Sequence, residues 1–113
     1  REFAAAVLQK YGYRVLQAGS GVDAIEVWKW HSSRISLLLT DLVMPEGMTG
    51  LELAEKLLIE KPDLKVICTS GYSGDMMERA FIQHESIRFM HKPYQPRMLA
   101  SAVRDALNHN KIP

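Results

Sequence analysis

Asp41, Ser70 and Lys92 are the residues of this sequence whose types and placement could do chemistry together. Each follows an apolar run of strand length: Ile35–Thr40 before Asp41, Leu64–Thr69 before Ser70, and Ile87–His91 before Lys92. Neighbouring strands lie about 4.8 Å apart, so a carboxylate, an alcohol and an ammonium at three adjacent strand ends would share one small volume. An ionised carboxylate there can act as a nucleophile toward phosphorus and form an acyl phosphate. Phosphoryl transfer asks for cations and hydrogen-bond donors at the phosphoryl oxygens, which Lys92, Ser70 and a divalent metal would supply. Taken singly, each residue has an ordinary structural role. An Asp after a strand serves as a turn residue or helix cap, a Ser before Gly71 as turn chemistry, and a Lys before Pro93 as a solvated cation. Only the joint occurrence at successive strand ends favours the phosphoryl reading.

The elements that must position these groups follow from periodicity. Glu2–Tyr11 carries Phe3, Ala4, Val7 and Leu8 at helical spacing and stops at Gly12, and Tyr13–Leu16 reads as a short strand. Ser20 with Asp23 predicts a capped helix to about Trp30, with Ala24, Ile25 and Trp28 inward. Ile35–Thr40 has no alternation and reads as a strand buried on both faces. Gly50–Glu60 is a helix with an apolar side of Leu51, Leu53, Ala54, Leu57 and Leu58, ended before Pro62. Leu64–Thr69 is a β-branched strand, Ser73–Gln83 a more polar helix, and Ile87–His91 a short strand. Pro96–Asn108 is a helix striped by Met98, Leu99, Ala102, Val103, Ala106 and Leu107. Helices and strands alternate with short connections, which predicts one α/β domain over residues 1–113 with a doubly wound parallel sheet.

The bulk numbers narrow the function. The 113 residues suffice for one core, and a formal charge of +1 with 24% charged residues gives no electrostatic reason to expect nucleic acid or a membrane surface. No apolar stretch approaches the roughly 18 residues of a membrane span, and Arg1–Lys10 is amphipathic without a cleavage site, so a cytoplasmic domain is expected. The single Cys68 excludes an internal disulfide and suits a reducing compartment. His31, His84, His91 and His109 have no metal-ligand spacing with Cys68. Trp28 and Trp30, two apart, cannot share a helix face, so one is expected to be exposed.

In combination, the motifs resemble the receiver domain of two-component response regulators. The resemblance rests on Asp41-x-x-Met44-Pro45 followed by Met48-x-Gly50, on Thr69-Ser70-Gly71, and on Lys92-Pro93-Tyr94 before the last helix. It implies a flavodoxin-like receiver fold, (βα)5, with the first strand missing from this sequence. It makes Asp41 the phosphoacceptor for a histidine kinase or its phosphotransfer domain, Ser70 the switch hydroxyl, Lys92 the invariant lysine and Phe89 the switch aromatic residue. Magnesium would be held by Asp41 and the backbone carbonyl of Val43. The turn Met44–Met48, one residue longer than the common form, and the phrases Val66–Ser73 and Gly12–Leu16 resemble receivers attached to hybrid sensor histidine kinases in bacteria. A homodimer through the last helices is an arrangement the resemblance allows; direct contact with nucleic acid or membrane is not expected, and neither is substrate turnover.

The sequence also departs from that pattern. The acidic pair that ends the family's first strand and binds magnesium has no counterpart here, since Glu2 lies inside the first helix. Without the first strand, a groove with unpaired backbone groups is expected. Roughly ten or more residues ahead of Arg1 would supply strand and acids together; a strand borrowed from a partner chain is the alternative. A non-phosphorylated pseudo-receiver serving as an interaction module is the rival function. A phosphatase of the haloacid dehalogenase type is disfavoured because it needs a second Asp at the position of Val43. Val43 and Tyr72, neither acid nor amide, occupy the positions that in receivers place the hydrolytic water, which predicts slow loss of the phosphoryl group.

Overall fold

The computed structural model describes residues 2–41, 49–70, 87–91 and 93–108, apart from the side chains of Glu2 and Ser70. The described elements are α1 (Glu2–Lys10), α2 (Gly21–His31), a 3₁₀ turn (Ser32–Arg34), β1 (Leu37–Asp41), α3 (Gly50–Glu60), β2 (Lys65–Ser70), β3 (Ile87–His91) and α4 (Pro96–Asn108). The three strands form a parallel sheet in the order β1-β2-β3. Asp41 is the cross-strand partner of Thr69, and Ser70 that of His91.

Alternation along the strands divides the core into two layers. Leu38, Val66, Cys68, Ile87 and Phe89 face a cluster with Trp28 of α2 and Leu53, Ala54 and Leu57 of α3. Leu37, Leu39, Ile67 and Met90 face a second cluster with Ala4, Val7 and Leu8 of α1 and Leu99, Val103 and Ala106 of α4. Helices on both faces of a parallel sheet are the α/β arrangement the sequence predicts.

Local chemistry sets the helix ends. Gly12, at φ +95°, turns the chain out of α1 while the Tyr13 N–H donates to the Leu8 carbonyl at 3.0 Å. Ser20 Oγ accepts from the Asp23 N–H at 3.1 Å to start α2. Thr49 and Glu52 form a reciprocal capping box at α3, with bonds of 3.0 and 2.9 Å. Trp28 Nε1 donates to Glu60 Oε1 at 3.1 Å and joins α2 to the end of α3. Lys61 follows α3, and its Nζ donates to the carbonyls of Ser32 at 3.0 Å and Ile35 at 2.6 Å, fastening the approach to β1.

Several expectations need correction. Residues 13–18 form no sheet ladder, although Tyr13–Leu16 reads as a strand. A strand needs a neighbour, and a cavity of about 1200 Å³, lined by Tyr13, Val15, Leu37, Leu39 and Thr40 among others, runs along β1. The same cavity leaves Leu37, Leu38 and Leu39 half-buried, where the unbroken apolar run predicts burial on both faces. Phe3 and Met98, expected inward, are half exposed, and Ala100 is buried instead. The tryptophans are as expected, Trp28 buried and Trp30 exposed. The helix expected over Ser73–Gln83 lies outside the described residues.

Candidate functional site

Asp41 ends β1 at the carboxyl edge of the sheet, where open α/β domains carry their chemistry. Its residue is exposed, and it follows Thr40, which is buried. Among the described residues, Thr40, Thr69 and Gly50 meet it. The Thr40 hydroxyl donates to the Asp41 carbonyl at 3.1 Å. Thr69 Oγ1 donates to the Asp41 carboxylate at Oδ1, 2.5 Å away, within the range of charge-assisted O–H···O⁻ bonds. Gly50, the first residue of α3, passes so close that a Cβ there would lie 2.0 Å from the Asp41 carbonyl oxygen. Gly50 is therefore needed for closeness of approach, which the Met48-x-Gly50 motif reflects.

One titrating group senses this carboxylate. Burial pushes the Cys68 thiol up from 9.0 to about 12, and the negative charge of Asp41 adds to the rise. Cys68 is fully buried beside Thr40 in the ladder and behaves as a small core residue.

The other sequence-derived residues divide by what is described. Ser70 closes β2, paired with His91, and its side chain lies outside the description. Lys92 and Val43 also lie outside the described residues. Phe89 is half-buried, packs on the α2–α3 layer and meets the His91 ring edge-on at 4.5 Å between centroids. Thr69 is the neighbour of Asp41 that sequence reasoning missed. Its hydroxyl stands in the Thr69-Ser70 pair, but only the ladder register shows that Thr69 is the one opposite the carboxylate.

The fit to magnesium can be tested on these residues. Among the described residues, no group of three or more His, Cys, Asp or Glu side chains could hold a metal ion. Asp41 alone is too few oxygen ligands for a hard divalent cation, so the described residues do not make a magnesium site.

A parallel sheet sandwiched by helices, with a carboxylate at the carboxyl end of one strand, defines a doubly wound α/β domain. A family model for the response regulator receiver domain matches residues 1–104, and the chain belongs to that family. It is 36% identical over 100 residues to the sensor kinase CckA of Brucella abortus, covering 88% of this chain and 10% of the kinase. It is 33% identical over 107 residues to the response regulator receiver protein CpdR of the same organism, covering 95% of this chain and 87% of that protein. The chain thus spans a small part of the sensor kinase and most of the receiver protein. A receiver domain structure from Clostridium thermocellum, 23% identical, superposes with a TM-score of 0.85 over 97% of this chain and 86% of that one. The flavodoxin-like receiver fold is therefore established, and with it a place in two-component signalling. No helix among the described residues is long and apolar enough to cross a membrane.

Proposed function

We propose that Asp41 is the phosphoacceptor of a two-component phosphorelay, charged by a histidine kinase or its phosphotransfer domain. A carboxylate oxygen bonds to phosphorus while the phosphorus–nitrogen bond to the donor histidine breaks. The electron pair stays on the imidazole nitrogen, which takes up a proton. The observation that carries this reading is the exposed Asp41 carboxylate at the carboxyl edge of the sheet, held by a hydroxyl from the adjacent strand.

In this reading Lys92 supplies a cation and Ser70 a hydroxyl to the phosphoryl oxygens. The added charge, about −1.5 to −2, draws Ser70 in and lets Phe89 turn inward, changing the surface around Phe89, β3 and α4. Phe89 has no hydroxyl, so packing alone holds its inward state. Magnesium belongs to this reading as an expectation from the family, its further ligands coming from outside the described residues. A cytoplasmic setting in bacteria, next to the sensor kinases and receivers this chain is similar to, fits the same reading.

The test is incubation with acetyl phosphate and magnesium followed by intact mass. One phosphoryl adduct on the native chain and none on Asp41→Asn is expected. An unmodified native chain would instead favour the interaction module that keeps the fold without phosphorylation.

A further inference from the structure

Thr69 carries a hydroxyl that packing does not require. The residue is 2% exposed at the end of β2, in a position where valine would fill nearly the same volume. A buried hydroxyl is costly without a partner, and here Oγ1 donates to Asp41 Oδ1 at 2.5 Å. The register that pairs Asp41 with Thr69 fixes this geometry through the backbone, independently of any loop.

Resting on the assignment of Asp41 as phosphoacceptor, we propose that Thr69 is a positioning residue that sets the lifetime of the acyl phosphate. In this proposal Oδ1 keeps its bond to Thr69 while the second carboxylate oxygen joins phosphorus. In the acyl phosphate, Oδ1 is then a neutral carbonyl oxygen, and the hydroxyl donates to it weakly. When water attacks, its oxygen bonds to phosphorus and it gives up a proton to the phosphate that forms, while the P–O bond to Asp41 breaks and its electron pair returns to the carboxylate, restoring negative charge to Oδ1. The hydroxyl therefore binds the departing carboxylate more strongly than the acyl phosphate and speeds loss of the phosphoryl group. Hydrogen bonds to charged acceptors exceed neutral ones by enough to change a rate about tenfold.

The experiment follows decay of the phosphorylated chain by intact mass after the donor is removed. Thr69→Val should hold the phosphoryl group about five to ten times longer, and Thr69→Ser, which keeps the hydroxyl, should decay like the native chain. A site merely loosened by substitution would lose the group at the same rate or faster, so slower decay with serine rescue separates the two roles. Thr69→Ala, which also removes the donor, replaces the valine variant should that one fail to fold. Unchanged or faster decay in the hydroxyl-free variant overturns the role of Thr69. Absence of an adduct on the native chain overturns the Asp41 assignment instead.

Discussion

Substitution of Gly50 by alanine probes the contact between α3 and the end of β1. The new Cβ would lie 2.0 Å from the Asp41 carbonyl oxygen, 2.9 Å from its carbonyl carbon and 3.1 Å from Thr40 Cγ2. Carbon–oxygen contacts settle at about 3.3 Å, so the two backbones must part by about 1.3 Å. Neither side is a flexible tip: the Thr49–Glu52 box fixes the first turn of α3, and pairing with Thr69 fixes Asp41. Overpacking of this kind costs roughly 1–3 kcal/mol, against a helix-propensity gain of at most about 1 kcal/mol from alanine. A net loss of about 1–2 kcal/mol in urea denaturation is expected. Because displacement of a reacting group by about 1 Å can cost a hundredfold in rate, phosphorylation by acetyl phosphate should fall far more than stability. Gly12→Ala is the control: open space surrounds that Cβ, so only the positive φ is penalised, by about 1–2 kcal/mol, and the phosphorylation rate should not change. A Gly50→Ala chain with native stability and native phosphorylation would refute the steric reasoning.

Lys61→Met keeps the aliphatic stem but removes the donor to two carbonyls; a loss of about 1–3 kcal/mol is expected, and a change within 0.5 kcal/mol in chemical denaturation would deny the ammonium that role. Cys68 should resist alkylation in the folded chain at mildly alkaline pH and react at the rate of unfolding, as a trapping time course would show. Its thiol ionises more readily unfolded than folded, so its contribution to stability is complete below pH 9.0 and is lost as pH rises toward about 12. Val43→Asn introduces an amide at a water-placing position and should shorten the life of the phosphorylated chain; an unchanged decay would remove Val43 from that account.

Much of the scaffold is legible in the sequence because its signals are local. The α3 helix, Gly50–Glu60, and α4, Pro96–Asn108, lie where apolar periodicity and the prolines at 62 and 96 place them. So does β3, and the two tryptophans separate as helical geometry demands. Tyr13–Leu16 fails as a strand because the signal there is local while a ladder is not: extended residues become a strand only beside a partner. The half-burial of β1 has the same origin, since an apolar run states what a strand prefers and not what lies next to it. At the site, Asp41 stands out by its position after an apolar run. Thr69 does not, because which of two adjacent hydroxyls faces the carboxylate depends on the register between strands, a long-range quantity.

Among the described residues β1 pairs with a strand on one side only, and this also governs how the chain behaves in crowded solution. A strand at the rim of a sheet offers main-chain groups to any other extended polypeptide, and here that rim borders a large greasy hollow. Molecules meeting rim to rim can zip together, so turbidity on warming should climb steeply with protein concentration. Lysine in place of Leu39, which lines the hollow, should suppress that clumping at some expense in folding stability.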